Sequence, residues 1–373
     1  MIRYLTAGES HGTGLTGIIE GMPSGLKIDI NFINRHLQRR QKGTGRGPRM
    51  ELEKDEVKIL AGLRKGVTIG SPLAVYIDNK DHSIDEMHDV YSPRPGHADL
   101  AGYLKYNATD VRSVLERASA RETAVRVALG AVARAFLKVF GVELCSHVVQ
   151  IGRVKADTEE IKLRDIFVGA EKSAIRCMVK NAEKKMIAEI NKAAGEGDTI
   201  GGVFEVIAVG VPVGLGSYVH WDRRLDGRIA KAVMSIPGIK GVEIGLGFRM
   251  AELAGSKVHD LIYYNKSVGF YRKTNRCGGI EGGISNGEPI TVRGVMKPIA
   301  TLKKPLASVD VKDKKKKLAA VERSDVCVVP SAGVVAEAMM ALELMKAFTE
   351  KFSGDCLPEI KEAYRQYNKR TLK

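Results

Sequence analysis

Two stretches far apart in the chain, Gly66-Val67-Thr68-Ile69-Gly70-Ser71-Pro72-Leu73-Ala74-Val75 and Gly283-Ile284-Ser285-Asn286-Gly287-Glu288-Pro289-Ile290-Thr291-Val292, follow one pattern, G-[VI]-[ST]-x-G-x-P-[LI]-x-V. Each reads as a glycine turn feeding a strand. A looser pair comes earlier in each case: Gly17-Ile18-Ile19-Glu20 leading to Gly21-Met22-Pro23-Ser24-Gly25-Leu26, and Gly202-Val203-Phe204-Glu205 leading to Gly210-Val211-Pro212-Val213-Gly214-Leu215. Basic, helix-like segments follow both, at 31–40 and 222–235. Later in each case comes Leu115-Glu116-Arg117 or Val321-Glu322-Arg323, ahead of a long segment rich in small residues. Matches in the same order predict two related halves, roughly 1–150 and 195–345, with chance similarity between glycine turns as the alternative. Related halves would face their equivalent loops across a pseudo-twofold axis. A site on that axis would draw Arg117 from one half and Arg323 from the other.

Periodicity predicts strands over 2–6, 73–77, 202–209 and 290–295. Segments 120–140 and 333–351 are apolar almost all round and read as buried helices. Buried helices between antiparallel sheets of alternating pattern give an α+β class, a layered β-α-β sandwich with internal pseudo-twofold duplication. The whole of 1–373 reads as one domain, with residues 155–195 as a peripheral insertion carrying a surface helix near 181–194. Ser119-Ala120-Arg121-Glu122 has the form of a capping box, with Glu122 reaching back to Ser119.

The stretch 39–49 places four arginines and a lysine around three glycines. Arginine forks suit phosphate and carboxylate, and glycine lets backbone approach them closely. The same ingredients return in Gly8-Glu9-Ser10-His11-Gly12, in Arg94-Pro95-Gly96-His97-Ala98-Asp99 and in Arg117-Ala118-Ser119-Ala120-Arg121, so the chain reads as building an anion site. His11 and His97, in glycine-flanked loops, are candidate proton donors. The glycine-rich run 275–287 would wrap a flat or charged ligand.

Net charge of +15 admits nucleic acid, an acidic membrane or a small anion as partner. Aromatic content of 6%, with no aromatic inside 39–49, argues against nucleic acid. No stretch approaches the ~20 apolar residues of a membrane span, and the N-terminus has no signal pattern, so a cytoplasmic protein is expected. Five scattered cysteines argue against both a disulfide framework and a zinc site. Gly12-Thr13-Gly14-Leu15-Thr16-Gly17 fits G-x-G-x-x-G, but a strand and turn follow it rather than a helix, which excludes a dinucleotide fingerprint.

Taken together, GESHG at 8–12, RRQKGTGR at 39–46, RPGHAD at 94–99, RASARET at 117–123, the 275–287 run and ERSDV at 322–326 resemble the chorismate synthase family, in order over about residues 1–350. The resemblance implies a 1,4-elimination of phosphate from 5-enolpyruvylshikimate 3-phosphate, giving chorismate. It also implies a requirement for reduced FMN, with NADPH as a candidate reductant, and a homotetramer of β-α-β sandwiches. His11 would protonate the departing phosphate, His97 would act near flavin N1 and Asp325 near flavin N5. FMN would lie on Arg117, Ala118, Ser119, Pro237, Gly238, Gly282, Lys297, Pro298, Ile299, Ala300, Thr301 and Arg323. Substrate would meet Ser10, Arg40, Arg46, Arg49, Arg94 and Arg121, with Arg40 and Arg46 also assigned to NADP. No metal is implied. Pro237-Gly238 departs from the Asn-Ala of many relatives, and Ala300 from a common proline. A flavin oxidoreductase with net redox turnover and a basic RNA-binding protein are the alternatives from other classes.

Overall fold

The computed structural model describes residues 2–47 and 53–371. The chain is a mixed α+β structure whose larger sheets are antiparallel. Strands Arg3–Ala7 (β1), Gly14–Glu20 (β2), Val57–Ala61 (β3) and Leu73–Asp78 (β6) form a sheet of order β1-β2-β6-β3. Between β3 and β6 lies a small hairpin, Leu63–Arg64 (β4) with Val67–Thr68 (β5). Strict alternation along β6, buried at Leu73, Val75 and Ile77, gives that sheet one core face.

The second sheet, of order β10-β15-β9-β7-β8, takes Glu143–Ile151 (β7), Val154–Lys155 (β8), Gly202–Val209 (β9), Ile239–Ile244 (β10) and Ile290–Met296 (β15). Two further hairpins interrupt it, Ile262–Asn265 (β11) with Gly269–Arg272 (β12), and Ile280–Glu281 (β13) with Ile284–Ser285 (β14). Read from β7, the order β7-β9-β15-β10 is that of β1-β2-β6-β3. Side chains repeat the correspondence. Thr68 Oγ1 donates to Pro23 O at 2.6 Å and accepts from Leu26 N at 2.9 Å, while Gly25 N donates to Thr68 O and Thr68 N to Leu26 O. Ser285 Oγ donates to Pro212 O at 2.6 Å and accepts from Leu215 N at 2.8 Å, with Gly214 N and Leu215 O completing the same set.

Helix Ile30–Gln41 (α1) begins at Asp29, which accepts from Asn31 N, and buries Ile33, His36, Leu37 and Arg40, one helical face. Helices Asp99–Tyr106 (α2) and Arg112–Arg117 (α3) precede Thr123–Lys138 (α4). The single helix expected over 120–140 is a 3-10 turn at Ala120–Glu122 followed by α4. The capping box is half formed. Ser119 accepts from Arg121 N at 3.3 Å, but Glu122 turns to Thr6 and to Arg126, which offers a charge where the backbone offers only a neutral N–H.

Segment 155–195 carries Leu163–Gly169 (α5) and Lys180–Gly195 (α6); beyond it come Leu225–Met234 (α7), Val329–Lys351 (α8) and Leu357–Thr371 (α9). α4 packs on β2 and β6, α8 packs on β7 and β9, and the two helices pack against each other. Small residues allow it: a methyl at Gly130 of α4 would overlap Ala338 of α8. α8 is buried on every face, as its composition predicts, and among its buried residues is Glu337. That carboxylate receives Arg39 from α1 through both terminal nitrogens (2.7 and 2.8 Å), Arg134 from α4, Arg176 at 3.3 Å and Ser146 at 2.6 Å. Burial pushes its carboxyl up, but three arginines outweigh this and hold it well below the ordinary range. Arg176, itself buried, ties segment 155–195 into this core.

Candidate active site

A cavity of about 300 Å3 opens where the end of α1, the α3–α4 junction, the turn after α7, the segment after β15 and the approach to α8 meet. Its size lies at the small end of ligand sites. Both halves of the chain supply its walls.

His11 enters on the loop after β1 and is held by Glu116 of α3. Glu116 Oε2 accepts from His11 Nδ1 at 2.6 Å and from His11 N at 3.1 Å, while Oε1 accepts from Arg112 at 3.2 Å. Burial pushes the Glu116 carboxyl up, but the bonds from His11 and Arg112 outweigh it and the group titrates below its ordinary value. An ionised carboxylate only accepts, so Nδ1 carries the hydrogen and Nε2 is left to act in the cavity. Arg112 also reaches Glu322 at 3.1 Å, so the glutamates of the repeated Leu/Val-Glu-Arg pair meet on one guanidinium. Asp81 lies 3.7 Å from His11 Nε2 and 2.8 Å from Arg323 Nη2.

His97 belongs to a second cluster. Its Nδ1 is 2.6 Å from Asp99 Oδ1, and Asp99 also takes the Arg94 backbone N–H at 2.9 Å and its Nε at 2.8 Å. The fork of Arg94 continues to Thr301 Oγ1 at 2.6 Å, joining the 94–99 motif to the 297–301 loop. Lys297 closes the link by donating to Gly96 O. Burial opposes ionisation of Asp99, yet His97 and Arg94 hold its carboxyl far below the usual range. Lys297 titrates below its ordinary value, because of burial and then Lys240.

Among the described residues, the arginines expected to meet substrate, Arg40, Arg46, Arg94 and Arg121, are each paired with a carboxylate. Arg40 gives Nε to Thr123 at 3.0 Å, Nη1 to Asp55 at 3.3 Å and Nη2 to Ala120 O at 3.1 Å. Arg121 gives Nη1 to Asp55 at 2.5 Å and Nε to Asn79 at 2.9 Å, and lies 3.6 Å from Glu53. Burial, with Asp55 opposing it, brings Arg40 down to about 10. Arg46 pairs with Asp325 at 2.9 Å, and Asp325 also accepts from Gly47 N.

Of the residues singled out in the sequence, Ser10, His11, Arg40, Arg46, Arg94, His97 and Arg121 line the cavity. So do Ala118, Ser119, Pro237, Gly238, the whole of 297–301, Arg323 and Asp325. Arg117 is exposed and is not among the lining residues, although its neighbours Ala118 and Ser119 are. Gly282 sits at the tip of the β13–β14 hairpin with φ +57°, also outside the lining. Arg49 lies outside the described residues. Sequence reasoning passed over Asp55, Asp81, Arg112 and the role of Glu116. Only Glu116 left a signal, as the glutamate of the repeated pair.

A family model described as "Chorismate synthase" matches residues 2–349. Chorismate synthase of Brevibacillus brevis is 53% identical over 386 residues, covering 100% of both chains. That of Moorella thermoacetica is 54% identical over 381 residues, covering 98% of this chain and 99% of the relative. A solved structure described as "Crystal Structure of Chorismate Synthase" superposes with a TM-score of 0.82 at 42% identity, over 99% of this chain and 98% of the other.

Proposed function

The chain belongs to the chorismate synthase family and functions as a chorismate synthase of the shikimate pathway, and we propose that the cavity described above is where phosphate is eliminated. The observation that carries this is the convergence of His11 and His97, from separate motifs, on one cavity lined by arginines of the first half and by the 297–301 loop and Arg323 of the second.

In this reading His11 acts as the imidazolium, its Nδ1–H held by Glu116, and gives its Nε2 proton to the phosphate oxygen as the carbon–oxygen bond breaks. Ser10, Arg40, Arg46, Arg94 and Arg121 bind or position the phosphate and carboxylates of 5-enolpyruvylshikimate 3-phosphate, and we extend this role to Arg49. The carboxylate partners of Arg40, Arg46, Arg94 and Arg121 keep a buried cationic site stable before substrate arrives. Reduced FMN, when bound, would supply transient electron density to the substrate during the elimination, with no net redox change.

The lining fits such a group. Leu115, Ala118, Ile236, Pro237, Met296 and Val328 offer apolar walls for a flat ring, and Ser119, Lys297, Thr301 and Arg323 offer donors for a phosphate. We assign Arg117, Gly238, Gly282 and residues 298–300 to the same cofactor, His97 to proton holding near its N1 and Asp325 near its N5. At 237–238 backbone contact takes the place of a side-chain amide. NADPH as reductant would draw on Arg40 and Arg46.

We further propose that 1–373 is one domain, a layered sheet–helix–sheet sandwich built by duplication. The matching strand orders and the matching bonds of Thr68 and Ser285 support this. A homotetramer fits the exposed Ile262, Tyr264 and Phe270 of the β11–β12 hairpin. We assign the protein to the cytoplasm. The test is anaerobic turnover of the enolpyruvyl substrate with chemically reduced FMN. Chorismate should form with no net consumption of reductant, and stoichiometric consumption would refute the reading.

A further inference from the structure

Each arginine lining the cavity holds an internal carboxylate, but the pairs are not alike. Asp55 and Asp99, which hold Arg40, Arg121 and Arg94, have fully buried side chains, so removing them from their arginines would leave charges uncompensated in the core. Asp81 differs. Its side chain is 26% exposed, its partner Arg323 is 59% exposed, and a single Nη2 of that guanidinium is engaged, at 2.8 Å. The same oxygen, Oδ2, lies 3.7 Å from His11 Nε2, while Oδ1 accepts the Ser83 hydroxyl at 3.0 Å.

The backbone around Asp81 is anchored at both ends. Asn79 N donates to Thr13 O and Ile84 N to His11 O, each at 3.1 Å, and Lys80 N reaches Glu53. Residues 81–83 form the short bridge between those anchors, so a side-chain rotation moves the Asp81 carboxylate without disturbing the strand before it. His11 and Arg323 line the cavity, whereas Asp81 reaches them from outside the lining.

We propose that Asp81 is an internal stand-in for phosphate, placed beside the cavity-facing nitrogen of His11 and bonded to the guanidinium of Arg323 until a phosphate-bearing ligand displaces it. Phosphate carries more charge than a carboxylate and can take two nitrogens of an arginine fork where Asp81 takes one. The exchange leaves Asp81 in water rather than in the core, so the displaced charge is solvated. The inference rests on the reading that a phosphate group sits beside His11.

The test is titration calorimetry of the full chain with inorganic phosphate, for the unmodified protein, Asp81→Asn and Asp81→Ala. Both variants should bind phosphate roughly tenfold more tightly or better, the scale of one charge-assisted hydrogen bond no longer competing. In an Arg323→Gln background the gain from Asp81→Asn should shrink below about twofold, because the seat is gone. Unchanged or weaker binding in the Asp81 variants would overturn the proposal. So would an equal gain with and without Arg323, which would reduce Asp81 to a general repulsion. Turnover by the unmodified protein tests the function separately, so failure of one does not mimic failure of the other.

Discussion

Replacing Glu116 with glutamine changes one oxygen to an NH2 group and removes one buried charge. The carboxylate accepts from His11 Nδ1, His11 N and Arg112, all within 3.2 Å. Glutamine has one acceptor oxygen, so one of these donors must face an NH2 group. If the oxygen takes the Oε1 position beside Arg112, both His11 donors face the NH2 group and the ring loses the acceptor that orients it; if it takes the Oε2 position, Arg112 keeps Glu322 and His88 O. Each lost charge-assisted bond costs about 1.5–3 kcal/mol. A proton donor that loses its orientation and the carboxylate stabilising its charged form loses most of its ~10²–10⁴-fold contribution. Turnover in anaerobic steady-state assays should therefore fall by ~10²-fold or more in Glu116→Gln, while FMN affinity by fluorescence quenching changes little. His11→Ala should fall by a similar factor. The double variant should be no worse than His11→Ala, since both act through one imidazole. Near-normal turnover in Glu116→Gln, or losses that multiply in the double variant, would refute the coupling of Glu116 to His11.

Glu337→Gln leaves Arg39, Arg134 and Arg176 around a neutral side chain, and should lower the unfolding free energy in urea by about 3–5 kcal/mol. His36, brought down to about 2 from an ordinary 6.5 by burial and then by Arg134 and Arg39, stays neutral in the fold while the unfolded chain protonates it. The unfolded state thus binds more protons below 6.5, so stability should fall by roughly 1.4 kcal/mol per pH unit there. His36→Gln should flatten that part of a stability–pH curve. Gly130→Ala, which forces a methyl between α4 and α8, should cost about 1–3 kcal/mol in thermal or urea unfolding despite the better helix propensity of alanine.

Local features were legible in the sequence because local forces decide them. Alternation placed β6 and β9, the apolar run 333–351 became the helix buried on all sides, and Pro23-Ser24-Gly25-Leu26 and Pro212-Val213-Gly214-Leu215 formed turns closed by Thr68 and Ser285. The arginine, histidine and glycine motifs announced an anion site, and most of their residues line one cavity. Pairing of charges was not legible, since it depends on which distant segments meet. Asp55 stands between Arg40 and Arg121 only because β3 brings its approach alongside α1 and the α3–α4 junction. The repeated Leu/Val-Glu-Arg pair shows the division most clearly. Sequence alone drew attention to its arginines, as permanent charges suited to a ligand. Tertiary structure buried Glu116 instead and left Arg117 in solvent. A carboxylate taken out of water must find donors, and His11 and Arg112 are the donors the fold supplies.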